Sequence, residues 1–348
     1  MPQTILLSIA VNNIKKYFKI LVSNTPKITV LMSVYNGAKF LAEAIDSILA
    51  QTFTDFEFII INDASSDDSL HIINSYKDAR IVLIQNTKNI GLTKSLNIGI
   101  AKAKGKYIAR MDADDISMPK RLEKQFDFME EHIKYKFCGS KAISINEEGQ
   151  EISYLPDTVC DEDIILASIF FKNMFIHSTL FIEKKALTDV GGYDEEFTRS
   201  QDYRLYLKLF TNNYFGINLN ENTLLYRVTK KGVTRVFSES QDFFARLAIK
   251  KTLKEAFDID LNIADVEKTR NTFDLHKKNR MLSVFKLLSF KKSFLKAYVK
   301  HFSKHPIAIK LLKEIFYKSL KIKLKFFQQS YLEGYIKCLK VLFIFSQS

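Results

Sequence analysis

Three carboxylates stand almost side by side in Asp112-Ala113-Asp114-Asp115, directly after the apolar run Tyr107–Met111. Crowding acids in this way costs repulsion unless a cation or a strong set of donors compensates. Mg2+ or Mn2+ is such a cation: one or two carboxylates hold it through oxygen, and its charge can neutralise a diphosphate leaving group. The i, i+2 spacing suits this, because one acid can reach a ribose or a metal-bound water while the next meets the metal. The same acids could instead cap the helix that opens near Pro119. A calcium loop of the EF-hand kind is excluded, since Ile116 falls on a ligand position, Ser117 stands where glycine is needed and Pro119 follows within the loop.

Other candidates are spread along the chain. Asp63, in Asn62-Asp63-Ala64-Ser65-Ser66-Asp67, can accept a hydrogen bond from the N3–H of a uracil base, or it can form an Asx turn into the next helix. Asp202 opens a helix in Ser200-Gln201-Asp202-Tyr203, where a carboxylate serves as a general base or as an N-cap. His177 is a candidate for metal or phosphate contact and equally a structural histidine. Gly37, Gly91, Gly99 and Gly105 fit turns and close packing. They form no G-x-G-x-x-G after the first strand, and no Walker loop is present, so dinucleotide and P-loop readings fail.

The elements that must position these groups are legible as an alternation. Strands are expected at Ile28–Val34, Phe56–Ile61, Arg80–Gln85 and Tyr107–Met111, with helices at Ala38–Ala50, Asp68–Tyr76 and Leu92–Ala103 between them. Such alternation implies right-handed crossovers and a mostly parallel sheet, with ligands beyond the carboxyl ends of its strands. Tyr35-Asn36-Gly37, Asn62-Asp63 and Asp112–Asp115 all fall there. Further on, the pattern predicts a helix after Pro119, strands at Phe137–Ile145 and Ser178–Ile182, and helices at Tyr203–Phe210 and Gln241–Phe257. Three segments follow: a leader helix over 1–25, a catalytic domain over 26–257, and a basic amphipathic helical region over 258–348 that starts with a linker at Asp258–His276.

In this order the residues resemble family 2 glycosyltransferases with the GT-A fold, of the kind that builds bacterial polysaccharide and lipopolysaccharide. The stretches that carry the resemblance are Val34-Tyr35-Asn36-Gly37, Ser47–Phe53, Asn62-Asp63, Asn89-Ile90-Gly91 with Asn97, Ala109–Asp115, Gly191-Gly192-Tyr193-Asp194 and Gln201-Asp202-Tyr203. It covers about residues 28–230. It implies a Rossmann-like α/β domain whose mostly parallel sheet is flanked by helices, followed by the basic C-terminal appendage. It also implies an inverting hexosyltransferase that uses Mn2+ or Mg2+. Asp202 would be the catalytic base and Asp114 the metal ligand. Tyr35, Asn36, Asp63 and Asp112 would bind the nucleotide-sugar, with Asp63 on uracil, and Arg110 and His177 would be accessory. Two positions depart from the family pattern: Ser33 replaces a common proline, and Gln201 stands where glutamate is frequent beside the base.

Charge is unevenly distributed. Residues 277–348 carry 17 Lys and Arg against Glu314 and Glu333, while the whole 348-residue chain nets +13, so the basicity belongs to the tail. A Lys- and Phe-rich amphipathic segment suits an anionic bilayer surface; it could instead pack on the catalytic domain with a solvated lysine face, or bind a partner protein. The expected setting is therefore the cytoplasm, peripheral on the inner face of the membrane, acting on a saccharide or lipid-linked acceptor. Three widely spaced cysteines fit a reducing compartment. No stretch reads as a signal peptide or a transmembrane helix. A tail that binds nucleic acid would leave the ordered acids unexplained and lacks a binding module, so no nucleic acid partner is expected. A non-catalytic sugar-nucleotide-binding scaffold is a further alternative, against which the intact Asp63, Asp112, Asp114 and Asp202 argue.

Overall fold

The computed structural model describes residues 25–155, 157–229, 238–267 and 295–301, with isolated positions to 313. The expected leader helix and most of the basic tail lie outside the described residues. The N-terminal half alternates as the sequence predicts: β1 (Ile28–Val34), α1 (Ala38–Leu49), β2 (Phe56–Asn62), α2 (Ser69–Ser75), β3 (Ile81–Gln85), α3 (Leu92–Lys102) and β4 (Tyr107–Met111). It continues with β5 (Ile116–Ser117), α4 (Arg121–Glu131), β6 (Tyr135–Ile145), α5 (Glu162–Ser168), β7 (Phe181–Glu183), α6 (Lys184–Asp189), α7 (Gln201–Thr211), β8 (Phe215–Arg227) and α8 (Ser238–Phe257).

One sheet runs β3-β2-β1-β4-β7-β6-β8-β5. The first four strands pair in parallel, and β6 pairs in parallel with β8. The steps β4/β7, β6/β7 and β5/β8 are antiparallel. Strand β1 is buried on both faces, as a central parallel strand must be. Its alternate residues Val30 and Met32 enter the core beneath α1 and α4, and Leu31 enters the other, beneath α3.

Strand order reverses between β1 and β4, where β2 lies to one side and β4 to the other. That switch point opens a crevice at the strands' carboxyl ends, and Asp112–Asp115 begins there. Only this loop separates β4 from β5, although three strands lie between them in the sheet, so the sheet curls back on itself. Gly105 makes the entry to β4 possible. A Cβ there would lie 2.4 Å from the backbone nitrogen of Thr29, so the backbones approach as only glycine allows.

Two expectations shift. The strand placed at Ser178–Ile182 is a 3-10 turn at His177–Thr179 followed by β7. The Thr179 hydroxyl donates to the Ile176 carbonyl at 2.8 Å and closes the turn locally, in competition with strand pairing. The stretch that begins at Asp258 includes helical residues 263–267, and Val266 is 1% exposed within the main core. Leu295 and Tyr298 join the same core, and the Tyr298 hydroxyl donates to the Leu166 carbonyl at 2.7 Å. Part of the C-terminal segment is thus packed on the sheet domain. Among the described residues no helix is long and apolar enough to cross a membrane.

Candidate active site

The carboxyl groups of Asp112, Asp114 and Asp115 each offer an oxygen, and these oxygens lie within 4.8 Å of one another. Their environments differ. Burial alone would raise the Asp112 carboxyl, but the Arg110 guanidinium, ion-paired and hydrogen-bonded to it, holds it below the usual range with help from Ser178. The Ser178 hydroxyl donates to Asp112 Oδ2 at 2.7 Å. Asp114 is pushed up to about 6, first by burial and then by the charge of Asp112. Asp115 is likewise pushed well above the ordinary aspartate range, first by burial and then by the charges of Asp114 and Asp112. Its Oδ1 accepts the Arg227 backbone N–H at 2.8 Å, whereas its buried Oδ2 has no hydrogen-bond partner.

This donor set fits a hard divalent cation. Carboxylate oxygens are the ligands Mg2+ and Mn2+ prefer. Three of them converge, one carries an orphaned buried oxygen, and two have their ionisation suppressed by burial and by neighbouring carboxylates. A bound cation would relieve all three conditions.

A cleft of about 980 Å³ opens over this loop. Asp112 and Asp114 lie in its wall together with Arg110, His177 and Asp202. Asp202 sits in the first turn of α7, after Ser200 in the left-handed conformation (φ 50°). Burial raises its carboxyl above the ordinary aspartate value, and Asn173 Nδ2 donates to its Oδ2 at 2.9 Å. A raised carboxylate held by one side-chain donor is suited to take a proton. His177 is held well below its usual pKa by burial and by Arg110, so it is neutral, and its Nε2 lies 2.7 Å from the Tyr193 hydroxyl. It faces the cleft but is not one of the converging metal-capable groups.

The remaining predicted residues lie outside this wall. Asn36, left-handed at φ 52°, receives the Ser66 N–H on its Oδ1 at 2.8 Å and ties the β1–α1 turn to the β2–α2 turn, while Tyr35 beside it is exposed. Asp63 is buried. Its Oδ1 accepts from Asn86 Nδ2 (2.8 Å) and the Ile90 N–H (3.0 Å), and its Oδ2 from the Gly91 N–H (2.8 Å). Asp63 therefore shapes the 86–91 turn that leads into α3, and three of the roughly four acceptor positions of a carboxylate are used. Gly91 and Leu92, which follow that turn, do line the cleft.

Sequence reasoning missed Ser178, Asn173, Tyr193 and Arg227 as site residues. Each reaches its partner across at least 16 positions of chain, and Arg227 reaches Asp114 across 113. Only Tyr193 carries a local signal, as part of the Gly191-Gly192-Tyr193-Asp194 stretch; nothing local marks the other three.

The family model "Glycosyl transferase family 2" matches residues 29–191. The protein EpsE of Bacillus subtilis (strain 168) is 37% identical over 208 residues, covering 58% of this chain and 73% of its own. The O-antigen biosynthesis glycosyltransferase WbnJ of Escherichia coli is 35% identical over 235 residues, 64% of this chain and 89% of its own. Among solved structures, S. aureus TarS 1-349 in complex with UDP-GlcNAc superposes with a TM-score of 0.57 at 18% identity, over 88% of this chain and 93% of that one. At that identity the likeness shows the fold, which is the GT-A fold that the sequence implied.

Proposed function

Because this chain belongs to the family 2 glycosyltransferases, we propose that it moves a sugar from a nucleotide-sugar, specifically a UDP-sugar, to a hydroxyl of a saccharide or lipid-linked acceptor with inversion. One observation carries this reading: a single cleft holds both the converging carboxylates at Asp112 and Asp114 and the raised carboxylate of Asp202. A donor diphosphate and an acceptor hydroxyl need those two chemistries within reach of each other.

Asp202 accepts the proton of the acceptor hydroxyl, whose oxygen forms the new bond to the anomeric carbon. The bond from that carbon to the diphosphate breaks, and the electron pair leaves with the nucleotide. Asp112 and Asp114 would hold a divalent cation, which supplies charge neutralisation for the departing diphosphate. Arg110 keeps Asp112 ionised, and Asn173 fixes the direction of Asp202. Asp63 shapes the 86–91 turn, and in this reading its fourth acceptor position would take the uracil N3–H. TarS was solved in complex with UDP-GlcNAc and WbnJ is an O-antigen biosynthesis glycosyltransferase, which favours a UDP-sugar donor and a cell-surface glycan as product.

Thermal melting of the full chain with Mn2+ and a panel of nucleotide-sugars tests the donor. A UDP-sugar is expected to raise Tm at millimolar concentration, and GDP- or CMP-sugars are not. Stabilisation by another nucleotide-sugar alone would remove the uracil role of Asp63.

The location also belongs to this reading: a catalytic domain over 26–257, with the basic region 258–348 bringing it to the cytoplasmic face of an anionic membrane. Each basic residue near such a surface contributes about 1 kcal/mol at most, and the attraction falls with salt. Co-sedimentation with vesicles containing phosphatidylglycerol is expected at 50 mM salt, and little with pure phosphatidylcholine. Equal recovery on both would count against an electrostatic tail.

A further inference from the structure

Arg227 ends β8, three strands along the sheet from β4, and yet it reaches the acidic loop twice. Its backbone N–H donates to Asp115 Oδ1 at 2.8 Å, and its Nε donates to the Asp114 carbonyl at 2.9 Å. The other guanidinium nitrogens tie that grip to two further segments. Nη1 donates to the carbonyls of Asn146 and Glu147, both at 3.2 Å, in the turn after β6, and Nη2 pairs with Glu43 on α1. The guanidinium lies over the Phe40 ring, 4.4 Å from its centroid, and the side chain is 2% exposed.

A buried cation would ordinarily be sited to neutralise the nearest carboxylates. The Arg227 charge does lower the Asp114 carboxyl a little, but its guanidinium makes no direct bond to that carboxylate. It takes the backbone of Asp114 and pairs only with Glu43, which leaves the Asp114 carboxylate without that guanidinium as a partner. Its planar set of five donors serves three chain segments at once, which lysine cannot copy. Immediately beyond the loop, β5 pairs with β8 two positions before Arg227, so the loop is held from both sides by the same strand.

From this we propose that Arg227 is the positioning residue of the cation site, holding Asp114 and Asp115 in their converged arrangement before any cation arrives. The inference rests on the metal reading above. Converged carboxylates repel one another, so without the clamp they separate, and a cation must then draw them together again at a cost in affinity.

Mn2+ binding to the purified full chain, followed by the loss of the free Mn2+ electron paramagnetic resonance signal, tests this without turnover. Arg227→Met and Arg227→Lys are expected to weaken Mn2+ binding at least tenfold, with Arg227→Lys the variant to rely on if Arg227→Met does not fold. Arg204→Met is the control for losing a buried arginine. Arg204 is 3% exposed, pairs with Asp194 and Glu255, and lies outside the acidic loop, so its loss is expected to leave Mn2+ binding unchanged. Wild-type affinity in the Arg227 variants, or an equal loss in Arg204→Met, would overturn the positioning role alone. Absence of Mn2+ binding to the wild-type protein would overturn the metal reading and this inference with it.

Discussion

Asp202→Asn is expected to lower kcat by two to four orders of magnitude while leaving donor binding nearly unchanged. That range is what a positioned general base contributes. The substitution keeps the shape of the side chain and an oxygen for the Asn173 amide, but it removes the basic lone pair. The cost falls on the transition state, so kcat and kcat/KM should fall together. The wild-type pH profile follows from the same carboxyl. Burial raises it above the ordinary aspartate value of 3.8, and only the ionised form accepts a proton. Activity therefore falls as pH is lowered through that raised pKa, on a limb displaced upward from 3.8. Steady-state assays of nucleotide diphosphate release across pH check both points. More than a tenth of wild-type kcat in Asp202→Asn would remove Asp202 from this role.

Asp114→Asn is expected to cost at least ~100-fold in kcat/KM, since neutralising a departing diphosphate is worth several kcal/mol of barrier. The loss should be far smaller when no cation is present in either protein, because the residue acts through the cation it holds. Folding provides an independent control. Removing one charge from three crowded carboxylates relieves repulsion, so the metal-free variant should melt no lower than the wild type. A clear drop in Tm would mean that Asp114 holds the loop together, which is the helix-capping alternative in another form.

Much of this site was legible in the sequence for a specific reason. In a parallel α/β domain the strand ends are marked by the switch from apolar run to polar turn, and Asp112, Asp114 and Asp63 all sit on such switches. The second half was harder to read. Strands β6, β7 and β8 interleave parallel and antiparallel steps with register shifts, and nothing in their local pattern announces that β5 will pair with β8. The Ser178 turn read as strand because its residues have strand propensity, and the hydrogen bond of Thr179 that decides the matter is one side chain. Asp63 illustrates a different limit: the sequence places it at the right strand end, while only the structure shows its carboxylate already carrying Asn86, Ile90 and Gly91. Arg227 and Asn173 could not be found at all from sequence, because their meaning lies entirely in partners that folding brings to them.

Under the proposed function, Asp112 and Asp114 engage the donor through a divalent cation. The most direct test of this is calorimetric titration of UDP into the wild-type protein and Asp114→Asn, each with Mn2+ and again with excess EDTA. The wild type is expected to bind UDP at least tenfold more tightly with Mn2+ than with EDTA, and Asp114→Asn to lose that difference. UDP binding to the wild type that is equally tight in EDTA would contradict it.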